Sequence, residues 1–387
     1  MRGRWGMVTA VYLLTILFFY LLWQWVWPCC AERWLGITAV TAVYCLWVVW
    51  RHLPENHRPG ETDLLPRFGW GNRLTLLRGL MISLVAGFLL SPWPGGWLGW
   101  LPAILYTIAD IADYLDGYAA RITNHATRLG ERLDMEFDGL ALVVVTLLAV
   151  WYGQLPTWYL LIGFARYFFV FGLWLRQKRQ LPAFPLPHSW HRRIFAGFQM
   201  AFMSVVLWPI VPAVGAAIAG TLFALATSAS FMRDWLVTIG WLDPATAVYQ
   251  QWQRRVYVVT AVYLPPILRL LLLLSLWQLY INFGVGQWVT LFTTWRLPGP
   301  AALAQFWAVV GVVTAVLVIL GILGRLMTLP LLFPLGFTLL VVEGAEAQEL
   351  FAVTTAVTCT ILILLLGTGT LSLWKPEEKW MVRRAGE

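Results

Sequence analysis

About a dozen apolar stretches, each close to the length needed to cross a lipid bilayer, set the possible folds of this chain. They fall at approximately 8–28, 34–50, 74–92, 97–117, 133–152, 156–175, 194–212, 215–240, 256–282, 301–323, 326–342 and 350–374. A bilayer core is crossed by roughly 20 residues of helix. No water is present there to satisfy an open backbone, so each stretch is expected to be helical. Hydrophobic residues make up 60% of the sequence and charged ones 12%, with a mean hydropathy of +0.71. That balance excludes a soluble enzyme and a disordered chain. The 25 Trp and 21 Phe suit a chain with many membrane–water interfaces, where aromatic rings settle. The expected fold is all-α: a polytopic membrane protein with about 12 transmembrane helices.

Basic residues set its orientation. With Arg2 and Arg4 at the cytoplasmic face, alternate connections carry Arg51, Arg58, Arg67 and Arg73; Arg121, Arg128 and Arg132; Arg176, Lys178, Arg179, Arg192 and Arg193; Arg254 and Arg255; Arg325; and Lys375, Lys379, Arg383 and Arg384. The opposite connections are nearly uncharged or acidic, as at Glu343, Glu346 and Glu349, with Arg33 and Arg296 the exceptions. Both termini are therefore expected in the cytoplasm and the chain in the cytoplasmic (inner) membrane, its first apolar run retained as a span. The net charge of +8 sits in these short connections and not on one face of a soluble module, so no nucleic-acid partner is expected. Cys29, Cys30, Cys45 and Cys359 lack metal-ligand spacing and read as ordinary membrane residues.

Composition divides the chain into two N-terminal helices (1–50), a polar segment with room for a short interfacial helix (51–73), a six-span core (74–242), a cytoplasmic linker (243–255), a four-span block (256–374) and a tail (375–387). Nearly all the unusual charge lies in the six-span core. Ionisable groups within a membrane are costly and mark function by default. Asp113 and Asp116 are spaced i, i+3 on one predicted helix, and Asp134 and Asp138 i, i+4 on the next, so each pair occupies one helix face. A short turn makes the two helices antiparallel and lets the pairs face one another. Four carboxylates cannot share an apolar site unneutralised. Oxygen-only ligands select hard divalent ions, Mg²⁺ or Mn²⁺. A pair of such ions steadies the attacking and leaving oxygens at phosphorus. Gly117 and Ala120 leave room beside the acids, Arg121 is placed to fork onto a phosphate, and Gly130 permits close backbone approach. Asp110, one turn from Asp113, either faces an acceptor or hydrogen-bonds a neighbouring helix.

The series Asp113-x2-Asp116-Gly117-x2-Ala120-Arg121-x8-Gly130-x3-Asp134-x3-Asp138 resembles the full signature of the CDP-alcohol phosphotransferase family. Asn72-x2-Thr75-x2-Arg78 is similar to the pattern with which the family begins its first core span. The segment Arg193 to Met200 resembles a stretch of the members that make phosphatidylglycerol phosphate, with Arg193 in place of Lys and Ala196 in place of Thr. Together these cover about residues 70–242.

The resemblance implies metal-dependent transfer of a phosphatidyl group from CDP-diacylglycerol to the hydroxyl of a small polyol or polyol phosphate, releasing CMP. It places two metals on Asp113, Asp116, Asp134 and Asp138, makes Asp138 the general base, and lines the CDP site with Thr75, Asp113, Gly117, Ala120, Arg121 and Gly130. Arg166 and Arg193 are the candidates for holding the acceptor. Met135 stands where choline- and ethanolamine-transferring members carry His, which disfavours that branch. The rival readings are transfer from a soluble CDP-alcohol to a lipid hydroxyl such as diacylglycerol, and an ion transporter, which would spread its acids across the membrane depth. The four-span block, whose 320–328 stretch is slightly similar to DoxX-like proteins, is expected to pack on the core, form a homodimer or shape lipid access.

Overall fold

The computed structural model describes residues 2–186, 190–282, 284–342 and 347–376, with side chains left undescribed at 190–195 and 282. Glu343, Glu346, Lys379, Arg383 and Arg384, and the side chains of Arg192 and Arg193, therefore lie outside the described residues. The described chain is helical and contains no strand, only an isolated bridge between Ile322 and Trp374. It is an all-α polytopic membrane protein.

Among the described residues, seven helical segments are long and apolar enough to cross a membrane: Arg2–Val26, Ala31–Glu55, Ala213–Thr238, Ala247–Ile281, Pro300–Leu320, Gly324–Val342 and Ala347–Leu366. An eighth is reached if the bent pair Thr157–Gly163 and Ala165–Lys178 is one span. The other four expected windows are also helices, at Trp70–Ala86, Leu101–Ile122, Arg128–Trp151 and Trp190–Val206. Two of these are short, and the other two carry the acids that make this chain unusual.

The chain forms two compact units, residues 1–171 with 200–210, and residues 172–199 with 211–387. In the first unit, α1 (Arg2–Val26) and α2 (Ala31–His52) precede α3 (Trp70–Ala86), α4 (Leu101–Ile122) and α5 (Arg128–Trp151). Trp23 and Trp34, both fully buried, meet edge to face with ring centroids 5.9 Å apart and fasten α1 to α2. Tyr12 of α1 donates to the Leu76 carbonyl of α3 at 2.6 Å, so the N-terminal pair is packed against the core helices. Residues 53–69 form a single 3-10 turn, Leu53–Glu55, and then an irregular strap, not the interfacial helix allowed for 51–73. Pro54, Pro59 and Pro66 with Gly60 break any longer helix there. Beyond α5 come α6 (Leu160–Gly163), α7 (Ala165–Lys178) and α8 (Trp190–Val206), the last two running from one unit into the other.

The second unit contains α9 (Ala213–Thr238), α10 (Ala247–Tyr257), a π-helical stretch (Val258–Tyr263), α11 (Leu264–Asn282), α12 (Val285–Thr294), α13 (Pro300–Leu320), α14 (Gly324–Val342) and α15 (Ala347–Leu366). Two differences from expectation lie here. The 243–255 linker is mostly the amphipathic helix α10, and α12 fills a stretch between two windows. Trp288 and Phe292 of α12 pack with Phe337 of α14 and Ala304 of α13, which gives that short helix a core of its own. The 320–328 stretch contains the break between α13 and α14, where Gly321 takes a φ of 68° that a side chain would resist. Arg269 of α11 is buried and donates to the carbonyls of Ile319 and Leu371, both at 3.1 Å.

Candidate active site

The site rests on three helices of the first unit and the turn between two of them. Residue Asn124, at φ 48°, ends α4 in the left-handed region that Asn tolerates. Thr127 then caps α5, its hydroxyl accepting the Gly130 amide at 3.0 Å. Asn72 on α3 reaches the same hydroxyl at 3.0 Å and donates to the Asn56 side-chain oxygen at 3.2 Å. Asn56, fully buried in the strap, donates in turn to the carbonyls of Leu65 (2.9 Å) and Arg67 (3.3 Å). The Arg128 amide donates to the His57 carbonyl at 3.0 Å. Strap, α3 and turn are thus clasped together, which fixes the distance between the acids of α4 and those of α5.

Gly130 sits inside this clasp. A Cβ added there would lie 2.6 Å from the Asn72 side-chain oxygen, so the close approach expected of Gly130 is to Asn72. Ala120 faces Gly71, where an added Cβ would lie 2.8 Å from both the Ala120 Cβ and the Asp116 carbonyl. Small size at Ala120 therefore serves the packing of α3 against α4. Gly117 faces open space except for Arg121, whose Nη1 would be 3.3 Å from an added Cβ.

At the centre is Arg78 of α3, with a side chain only 1% exposed. Its Nη1 pairs with Asp113 and, at 3.1 Å, with Asp134, while its Nη2 pairs with Asp138. One guanidinium, presenting its donors in a planar fork, therefore meets carboxylates from both helices. The fourth carboxylate, Asp116, is 8% exposed and accepts the Thr75 hydroxyl at 2.8 Å. Ligand oxygens of Asp113, Asp116 and Asp134 lie within 4.8 Å of one another. Three carboxylates at this spacing, with no nitrogen or sulfur among them, fit a hard divalent ion. Asp138 stands at the edge of this group, joined to it through Arg78.

Arg166 lies beside Asp138: an added Cβ on Gly139 would be 3.3 Å from the Arg166 Cδ. Arg193 lies on α8 with its side chain outside the described residues. Asp110 accepts the Ser204 hydroxyl of α8 at 2.9 Å, so it does bond a neighbouring helix. The roles of Asn56 and Thr127, and of Arg78 as the hub of the acids, were not foreseen from the sequence. The Asn72-x2-Thr75-x2-Arg78 spacing held part of that signal, since it sets all three side chains on one face of α3. Nothing in the sequence pointed to Asn56.

Residues 70–242 match the family model described as CDP-alcohol phosphatidyltransferase. A Mycobacterium tuberculosis protein provisionally named cardiolipin synthase is 29% identical over 137 residues, 35% of this chain and 63% of the relative. A CDP-diacylglycerol–glycerol-3-phosphate 3-phosphatidyltransferase of Bacillus subtilis is 32% identical over 116 residues, 27% of this chain and 60% of the relative. A protein of the same name from Salmonella choleraesuis is 29% identical over 143 residues, 35% of this chain and 74% of the relative. The chain thus spans just under two thirds of the length of the mycobacterial and Bacillus relatives. No solved structure matches.

Proposed function

We propose that this chain transfers a phosphatidyl group from CDP-diacylglycerol to a hydroxyl of a small polyol or polyol phosphate, at a site facing the cytoplasm. The observation that carries the reading is the gathering of carboxylates from two helices of the matched domain: Asp113, Asp134 and Asp138 meet the buried Arg78, and Asp116 lies within 4.8 Å of Asp113 and Asp134. The names of two relatives, which specify CDP-diacylglycerol and glycerol 3-phosphate, support the donor and the polyol class.

In this reading the acceptor oxygen forms a bond to the phosphorus that bears the diacylglycerol. The bond from that phosphorus to the CMP phosphate breaks, CMP leaves with the bonding pair, and the acceptor proton passes to Asp138. Arg78 occupies one oxygen of Asp138, and the other carries no hydrogen bond among the described residues, so it is free to take the proton. Asp113, Asp116 and Asp134, with Asp138 at the edge, would hold Mg²⁺ or Mn²⁺. Such ions would neutralise charge building on the phosphoryl oxygens in an in-line displacement. Thr75 holds Asp116 in place as a metal-orienting partner does. Gly117 leaves α4 bare on the side where Arg121 can fork onto the pyrophosphate, and the family places the cytidine on this face. Arg166 is available to an anionic acceptor beside the base.

The test is CMP release by the purified chain from CDP-dioleoylglycerol with Mn²⁺, offered glycerol 3-phosphate, inositol, inositol phosphate and serine in turn. Release with a polyol or polyol phosphate is expected. Absence of metal-dependent CDP binding would overturn the reading.

A further inference from the structure

Asp110 lies outside the family signature, one turn N-terminal of Asp113, about 4.5 Å of rise along α4. Its Oδ2 accepts the Ser204 hydroxyl at 2.9 Å, and its Oδ1 carries no hydrogen bond among the described residues. A second observation points to the same place. Tyr106, one further turn along α4, is 2% exposed, and its hydroxyl has no hydrogen-bond partner among the described residues. Tyr106, Asp110 and Asp113 are spaced i, i+4 and i+7, so they share one face of α4.

A free phenol donor beside a free carboxylate oxygen matches the needs of one uncharged hydroxyl, which accepts from Tyr106 and donates to Asp110. A phosphate does not fit there, because Asp110 would repel it. Arg166, by contrast, makes no hydrogen bond or ion pair among the described residues and stands beside Asp138. Resting on the transfer reaction above, we infer that Tyr106, Asp110 and Ser204 form a subsite for a second, non-reacting hydroxyl of the acceptor. The acceptor then lies with one hydroxyl at Asp138, its neighbour at Tyr106 and Asp110, and any phosphate toward Arg166. Ser204 positions the Asp110 carboxylate and does not touch the acceptor.

The subsite makes acceptor choice depend on the second hydroxyl. A site built to hydrogen-bond a hydroxyl rejects an analogue that lacks it, because its buried polar groups are left unpaired. The experiment uses the full chain with CDP-dioleoylglycerol and Mn²⁺. Glycerol 3-phosphate is compared with 3-hydroxypropyl phosphate, and myo-inositol with a deoxyinositol lacking the hydroxyl next to the reacting one, in the wild type and in Tyr106→Phe. The wild type is expected to favour the polyol of the pair it uses. Tyr106→Phe should raise the KM for that polyol by about tenfold or more, the scale of a hydrogen bond in a charged network. It should leave KM for the deoxy partner, and metal-dependent CDP binding, at wild-type values. An unchanged polyol KM, an equal loss on both members of the pair, or a wild type that uses serine would each overturn the inference. Failure of the underlying reading looks different: the wild type itself would release no CMP with any acceptor, and the subsite would fall with it.

Discussion

Replacing Arg78 by Met tests how the carboxylate cluster is held together. The methionine fills similar volume but removes the charge shared by Asp113, Asp134 and Asp138. Breaking a buried ion pair by deleting one partner costs about 3–5 kcal/mol, because the other charge is left uncompensated. Arg78 is 1% exposed, but the side chains of Asp134 and Asp138 are 45% and 38% exposed, so water screens part of the loss. The lower end, about 3 kcal/mol, is therefore expected, and at about 2–4 °C per kcal/mol for a unit of this size it lowers the melting temperature by roughly 6–12 °C. The assay is thermal unfolding in detergent, followed by tryptophan fluorescence, with EDTA and then with Mn²⁺. The ion supplies the missing charge, so Mn²⁺ should narrow the gap; at a hundred times its Kd a ligand contributes about 2.7 kcal/mol. Wild type should gain less, because there the ion must share its ligands with Arg78. Identical melting of the two proteins in EDTA would refute the hub, and a gap that Mn²⁺ leaves unchanged would refute the cluster as a cation site.

Three further outcomes follow from the same geometry. Asp138→Asn should abolish CMP release while metal-dependent CDP binding, measured by calorimetry, persists; normal turnover would mean that another group takes the proton. Gly130→Ala should destabilise the chain by about 1–3 kcal/mol, since its Cβ would sit 2.6 Å from the Asn72 side-chain oxygen. The same change on an Asn72→Ala background should cost far less, and simple additivity of the two melting shifts would disprove the contact. Thr75→Val removes the 2.8 Å hydrogen bond to Asp116 and should raise the Mn²⁺ concentration for half-maximal CDP binding by about 10–100-fold, with Thr75→Ser near wild type.

Much of the fold could be read from the sequence because a membrane enforces a simple rule. Each apolar window had to be helical, and each is largely so, although 156–175 is a bent pair of helices, the last helix ends at Leu366, and charge or shortness keeps four from being apolar spans. The acids of α4 and α5 were equally legible, since spacings of three and four residues place side chains on one face whatever surrounds them. The partners of those faces were not legible. Arg78 is 35 residues from Asp113 and 60 from Asp138 in the chain, and its pairing is set by how α3 lies against α4 and α5. Ala120 looked like clearance for a ligand, yet its neighbour is Gly71 of another helix. The strap at 53–69 has no periodicity at all, so neither its irregular form nor the grip of Asn56 on Asn72 left a trace in the pattern. Helix α12 was hidden for the opposite reason: it is too short to register as a span, and its apolar residues are used against α13 and α14.

The clasp and the hub answer opposite physical demands on one site. Four carboxylates brought together repel one another, and the repulsion is strongest in a medium that screens poorly. Arg78 offsets that repulsion where α3 meets both acid-bearing helices, but it is a flexible side chain and cannot by itself fix the separation of α4 and α5. The separation is fixed by the turn, whose Thr127 and Gly130 are held to Asn72 and, through Asn56, to the strap. Both anchor points, Asn72 and Arg78, belong to α3 and lie six residues apart on its helix. A shift of α3 therefore moves the counter-charge and the turn together and leaves the carboxylates in register. That arrangement explains why Asn72, Thr75 and Arg78 share one face of a helix that carries no acid itself: its task is to set the distance between the two helices that do.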